Sequence, residues 1–320
     1  MKILFFTDLH LRRTSPRWRK DNYALALLKK LEFIVSLAKA ENCDRVYFGG
    51  DFVDSPMASI SLVNQAVDIL EALTRNGIEF TAAFGQHDEQ GNTPQGVEAS
   101  VASLLYRIPD NDLPPMTKGI DFLFGDTMVA HYNNNILDIL RNGQLTYDNN
   151  EYEQVTILLI HTMLTPSPVP WPHIQIDDVV SQAKIVLSGD YHPGFPPTSS
   201  NDTWFINPGA IARTTVGDAN KIPKVAIINT DKLPDNPAEY IEIECAPAHE
   251  AFDLEAAEVA KQSDDERSQY TRMLQDMAEA GGQKNWEAIL DRAAKEGKVE
   301  KAVIEEARLR CKNIEEGQNE

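Results

Sequence analysis

Apolar residues along the first 245 positions come in short runs that stop at glycine, aspartate or histidine. Residues 2–7 (Lys-Ile-Leu-Phe-Phe-Thr) form one such run, the kind that makes a buried strand. The period then changes over residues 23–40, where Leu27, Leu28, Leu31, Ile34, Val35 and Ala38 share one broad helical face. A second strand follows over 44–48 and closes at Gly49-Gly50-Asp51. Helical spacing returns over 60–73 until Asn76-Gly77 ends it, and a third strand over 78–84 stops at Gly85. Strand, helix, strand, helix, strand predicts a parallel sheet with crossover helices.

The middle of the chain has another texture. Residues 119–132 read as a hairpin with Gly125-Asp126 at its turn, and 133–154 as irregular apart from a short segment at 136–140. Strands resume over 155–160, 184–187, 203–206, 224–229 and 239–244, with proline-rich loops at 166–172 and 193–197. After Pro247 the strand signals stop. Ser263-x-x-Glu266 is a capping-box pattern, and apolar stripes at 270–277, 286–294 and 299–314 predict three helices. The expected division is a domain over 1–247 and a helical tail over 248–320.

Composition narrows the class. Of the 320 residues, 42% are hydrophobic and 25% charged, ordinary for a soluble globular protein, and no apolar run is long enough to span a bilayer. Three widely spaced cysteines read as reduced thiols in a cytosol. The net charge of −19 argues against tight autonomous binding to DNA, because phosphate neutralisation needs a basic face. It leaves nuclease chemistry open, through a local basic patch, bound cations or a partner.

The chemistry-bearing residues sit where the strands end: Asp8-Leu9-His10, Gly50-Asp51, Gly85-Gln86-His87-Asp88, Ile160-His161 and Gly189-Asp190-Tyr191-His192. Any one Asp after a strand is commonly a helix cap or turn former. Carboxylates and imidazoles from five segments together point to a metal site at one sheet edge. Hydrolysis of a phosphate ester needs an activated water and relief of negative charge, and two cations bridged by a carboxylate supply both.

These segments resemble the calcineurin-like metallophosphoesterases, whose pattern is D-x-H, G-D, G-N-H-[DE], a lone His, then G-H-x-H. The likeness runs in order from residue 1 to about 245. It is most specific to the nuclease subunit of SbcCD-type double-strand-break repair complexes and its phage relatives, through Asp8-Leu9-His10-Leu11-Arg12 and Ile206-Asn207-Pro208-Gly209-Ala210-Ile211-Ala212-Arg213. The resemblance implies an α/β sandwich of two mixed β-sheets flanked by helices, with a C-terminal helical tail. It implies one metal held by Asp8, His10, His192 and a bridging Asp51, and a second by Asp51, Gln86, His161 and Asp190. His87 would assist the leaving oxygen, with Asp88 tuning it.

Two positions depart from the family pattern: Gln86 stands where Asn is usual and Asp190 where His is usual. Both fall on the second metal. An oxygen-rich second site favours manganese, or magnesium, over zinc. A basic loop, Arg12-Arg13-Thr14-Ser15-Pro16-Arg17-Trp18-Arg19-Lys20, follows the first ligands and suits a nucleic-acid backbone. Arg12, Arg13, Arg17, Trp18 and Arg19, with Arg213, are the candidate substrate contacts.

The resemblance implies a metal-dependent DNA nuclease in repair or recombination, acting in the cytoplasm of a bacterial or phage-infected cell. Its partners would be DNA, an SMC-like coiled-coil ATPase docked on the tail, and a second copy of the chain. The alternatives are a phosphoesterase of the same fold acting on a small molecule, nucleotide or phosphoprotein, and a weakly catalytic scaffold subunit.

Overall fold

The computed structural model describes residues 1–91, 94–108, 122–124, 127–130, 156–179, 181, 183–262, 290–291, 294–295 and 303–309. Two compact units divide the chain, Met1–Leu254 and Glu255–Glu320.

The first unit is a sandwich of two sheets. One is built from β1 (Lys2–Phe6), β2 (Arg45–Phe48), β3 (Glu79–Ala82), β12 (Lys224–Asn229) and β13 (Ala238–Glu242), in the order β13-β12-β1-β2-β3. The other holds β4 (Phe122–Phe124), β5 (Thr127–Ala130), β6 (Ile157–His161), β9 (Ile185–Gly189), β10 (Phe195–Ser200) and β11 (Thr203–Asn207), in the order β10-β11-β9-β6-β5-β4. A two-stranded pair, β7 (Leu164–Thr165) with β8 (Ile174–Gln175), lies between β6 and β9 in the chain. Parallel pairing joins β1–β2–β3 in one sheet and β5–β6–β9–β11 in the other, so all these strands deliver their last residues to one end.

The apolar runs are continuous because both faces of each sheet are covered. Ile3 and Phe5 of β1 point inward with Tyr47 and meet Ile157, Leu159, Ile185 and Leu187 of the facing sheet. Leu4 and Phe6, one residue out of step, pack with Val46, Phe48 and the helices α1 (Tyr23–Ala40) and α2 (Ile60–Thr74) on the outer face. Leu158, Ile160, Val186 and Phe205 cover the other outer face with Leu164, Ile174 and Ile176. Asn22 caps α1 through its side chain, which accepts from the Leu25 N–H.

The sequence pattern leaves 193–197 as a loop, yet residues 195–200 form β10. Pro196 and Pro197 are admitted because β10 is an edge strand and its pairing register shifts between Phe195 and Thr198. The 122–124 and 127–130 strands pair antiparallel, as the hairpin reading requires. The Gly125-Asp126 turn, the 136–140 segment and the 270–277 stripe lie outside the described residues. In the second unit, residues 290–291, 294–295 and 303–309 are helical. Among the described residues no helix is long and apolar enough to cross a membrane.

Candidate metal centre

The last residue of β6 and the residues that follow β1, β2, β3 and β9 converge at the end of the sandwich. Asp8, His10, Asp51 and His161 are buried, while Gln86, His87, Asp190 and His192 are half-buried at the rim. Much of this convergence depends on unusual backbone. Asp8 (φ 56°), His10 (φ 45°), Asp51 (φ 55°) and Asp190 (φ 74°) all adopt the left-handed conformation, which turns each side chain back over its strand end. Backbone bonds tie the turns together, from Asp8 N–H to the Gly50 carbonyl and from His10 N–H to the Asp51 carbonyl, each 3.0 Å. Gly85 is required sterically, since a Cβ there would fall 2.2 Å from Asp51 Oδ1 and 2.6 Å from His161 Nε2. Gly50 combines φ +99° with a position where a Cβ would sit 2.4 Å from His161 Nδ1.

Three groups of side chains place their donor atoms within 4.8 Å of one another: Asp8–His10–His192, His10–Asp51–His87 and Asp8–Asp51–His161. His10 Nε2 and His192 Nε2 face each other at 3.0 Å, and His192 Nε2 lies 3.6 Å from Asp8 Oδ1. Asp51 Oδ2 is 3.6 Å from His10 Nε2 and 3.4 Å from His161 Nε2. Asp51 therefore touches both halves of the cluster. Its other oxygen accepts from the His87 N–H at 3.0 Å.

The electrostatics keep the donors apart in charge. Burial holds the His10 imidazole neutral, with its pKa lowered to about 3. Burial acts in the same sense on His161, but the Asp51 carboxylate outweighs it and raises the pKa well above the ordinary range, a favourable charge contact that a cation bound to Nε2 would replace. Burial opposes ionisation of Asp51 too, and there the charge of His161 wins and lowers its pKa. Asp8 is pushed up by burial.

The donor set fits divalent cations. Asp51 Oδ2, His161 Nε2 and Gln86 Oε1 are all buried without a hydrogen-bond partner. Buried polar atoms are rarely left so, because each carries a desolvation cost. A hard cation among carboxylate, imidazole and amide oxygen would satisfy all three.

Gln86 and Asp190, the two departures from the family pattern, are bonded to each other. The Gln86 amide donates from Nε2 to Asp190 Oδ1 at 3.0 Å, which leaves its carbonyl oxygen turned elsewhere. The Asp190 N–H in turn lies 3.2 Å from Asp8 Oδ1.

The His87 ring is oriented by a group outside its own motif. Its Nδ1 is 2.9 Å from the Asp54 carbonyl. The Asp88 carboxylate instead accepts from the Val53 and Gly85 N–H groups, each at 3.0 Å, and its burial raises its pKa to about 7. Asp88 thus ties the loop carrying Asp51 to the end of β3, and its charge is among the causes that raise the His87 pKa. Asp54 is the residue that the sequence reading missed. It lies three positions after Asp51, the only signal available, and its carboxylate also pairs with Arg12 at 2.9 Å.

The basic loop divides. Arg13 and Arg17 are exposed, and the Arg17 guanidinium stacks 4.4 Å above the half-buried Trp18 ring. Arg19 is not a surface contact, for its side chain is 3% exposed, forks onto Asp21 and donates to the Arg213 carbonyl. Arg213 is buried as well, donating to the Ala219 and Ala246 carbonyls at 2.9 and 2.6 Å. Both guanidinium groups lie over Phe252, so they hold the loop to the segment that ends the first unit. Burial and carbonyl bonding remove Arg19 and Arg213 from the candidate substrate contacts.

A family model of calcineurin-like phosphoesterases matches residues 1–207, and the chain belongs to that family. Members use dimetal centres, which agrees with the donor set assembled here. The DNA double-strand break repair protein Mre11 of Aeropyrum pernix is 32% identical over 117 residues. That match takes in 36% of this chain and 27% of that protein, so the chain spans about a quarter of the relative's length. Among solved structures, TT1561 of Thermus thermophilus is 15% identical with a TM-score of 0.44, over 76% of this chain and 99% of that one. A dimetal phosphatase from Danio rerio is 10% identical with a TM-score of 0.44, over 72% and 93% of the two chains.

Proposed function

We propose that this chain hydrolyses DNA phosphodiesters with two divalent cations, manganese or magnesium, held by Asp8, His10, His192, Asp51, Gln86, His161 and Asp190. The observation that carries the reading is the buried Asp51 carboxylate shared between two groups of candidate ligands, in a chain partly similar to a break-repair protein. Cations bound there would supply an activated water and draw negative charge from phosphorus.

The remaining steps fall to side chains. The Asp54 carbonyl takes the His87 Nδ1 hydrogen and leaves Nε2 as the atom from which a proton is given to the departing sugar oxygen. Burial disfavours the charged ring, but the charge of Asp51 and the Asp54 carbonyl prevail and raise its pKa, which suits a general acid. Arg13, Arg17 and Trp18 form an exposed cation and ring surface for the strand. A net charge of −19 leaves most DNA affinity to a partner, and we assign docking of an SMC-like ATPase to the tail, residues 248–320.

The test is cleavage of end-labelled linear DNA by the purified chain with manganese, with and without the ATPase, beside a His87→Ala control. Cleavage is expected to fall by about 10²- to 10⁴-fold in the control. An undiminished rate in the control would remove His87 from the chemistry. Hydrolysis of a small phosphodiester with no DNA cleavage under any condition would overturn the nuclease reading in favour of a small-molecule phosphoesterase.

The two arginines of the loop should behave differently. Arg17→Ala is expected to reduce the slope of log affinity against log salt by about one, the mark of one lost phosphate contact. Arg19→Ala should leave that slope alone and lower stability by about 2–3 kcal/mol, because it uncouples a buried guanidinium from Asp21 and a carbonyl. Denaturant unfolding and salt titration of both variants check the split, and an altered salt slope for Arg19→Ala would contradict it.

A further inference from the structure

A groove of about 650 Å³ opens beside the cluster, where the edge strands β10 and β13 flank the sandwich. Strand register places its inner part at the end that carries the metal-ligand candidates, and Ala238 and Glu239, paired with Ile228 and Ile227, carry it along β13 away from that end. Phe195 pairs with Asn207, the last residue of β11, and Lys224 opens β12, which runs antiparallel to β1. Pro193 and Gly194, the two residues after His192, form its near wall together with Lys221. The Lys221 ammonium donates to the His192 carbonyl, which among the described residues is its one hydrogen-bond partner.

Lys221 therefore differs from the other cations of this region. Arg19 and Arg213 are consumed by backbone carbonyls, and Arg12 is paired with Asp54. Lys221 spends one of its three hydrogens on His192 and keeps its charge between the groove and the cluster.

Further along, the walls change character. Tyr240 offers ring surface and Ile222 leaves 48% of its surface exposed there, while Phe195 is buried in the outer core with Leu158, Ile160 and Phe205. The Tyr240 hydroxyl donates to the Phe195 carbonyl at 2.8 Å and accepts from the Asn207 N–H at 3.2 Å, so the wall is fixed before any ligand arrives. Glu242 pairs with Lys224 at 3.9 Å, and Glu239 stands exposed beyond Tyr240. A cation at the inner end, apolar and ring surface next, and carboxylate acceptors beyond match one phosphate with a nucleoside attached. The acidic outer wall disfavours a second phosphate.

Resting on the function proposed above, we infer that this groove is a nucleoside subsite of the phosphoester centre. Lys221 meets the phosphate, and the surface of Tyr240 and Ile222 receives the attached sugar and base. Lys221 was not among the candidate residues of the sequence, because no motif surrounds it.

The test is calorimetric titration of the full chain, loaded with manganese, using thymidine monophosphate and inorganic phosphate as probes. The nucleotide is expected to bind about tenfold more tightly than phosphate, and Ile222→Glu to erase that preference. Lys221→Gln is expected to weaken both probes by about tenfold or more, with Lys221→Arg restoring most of the loss. Manganese titration of Lys221→Gln separates the roles: unchanged metal affinity supports contact with the ligand, and a matching loss of metal affinity reduces Lys221 to a prop for His192. Equal affinity for the two probes, or a preference that survives Ile222→Glu, would overturn the subsite. Failure of the nuclease reading looks different, since the nucleotide preference would persist while no phosphodiester is cleaved.

Discussion

Asp51→Asn is expected to lower phosphodiester hydrolysis by about 10³-fold or more, because the variant loses the one charge shared by both halves of the centre. Asp51 Oδ2 lies 3.6 Å from His10 Nε2 and 3.4 Å from His161 Nε2, fully buried and without a hydrogen-bond partner. Asparagine keeps the shape and keeps an oxygen to accept from the His87 N–H, so the turn carrying residues 50–52 has no reason to rearrange. Only the charge goes. Manganese should raise the unfolding temperature of the native chain in a concentration-dependent way and do so far less for the variant. Calorimetry should give fewer manganese ions bound per chain. A variant that still takes up two ions, or keeps a tenth of the native rate, would show that Asp51 is not the bridge.

The strand ends that carry these residues were legible in the sequence because parallel β-strands covered on both faces leave long apolar runs with abrupt stops. Ile3 through Phe6 alternate between the two cores, yet all four are apolar, and the run ends where Asp8 turns away. What a linear reading lacks is partnership. Asp88 adjoins His87 in sequence while Asp54 stands 33 positions away, and only the fold shows that the Asp54 carbonyl supplies the ring's acceptor while the Asp88 carboxylate binds backbone. Arg19 looked like an exposed member of a basic run. Its fate depends on Asp21, on Phe252 and on a carbonyl 194 positions away, none of which the run itself discloses. β10 was hidden for a related reason, since proline bars a central strand but is tolerated on an edge, and sheet order is a property of the whole domain.

The same limit concealed the link between Gln86 and Asp190, which are 104 positions apart and joined by a 3.0 Å hydrogen bond. On the proposed ligand set this bond makes them one unit. The amide gives its N–H to Asp190 and presents a buried, unpartnered carbonyl oxygen, so Asp190 fixes which end of the amide is available. Gln86→Asn shortens the arm by one methylene and pulls the amide from its acceptor. Asp190→His removes the acceptor and frees the amide to turn. Each single change is expected to weaken the second manganese by about 10- to 100-fold, the range seen when a ligand loses the group that orients it. Changing both together restores the Asn and His usual in the family, so the double variant should bind better than the product of the single losses, with a coupling of about 1–2 kcal/mol. Its preference should also move toward zinc, since a ring nitrogen replaces a hard carboxylate oxygen. Manganese and zinc titrations of the four proteins measure the coupling directly. Strict additivity, with no shift between the two metals, would mean that the bond between Gln86 and Asp190 is incidental to the site.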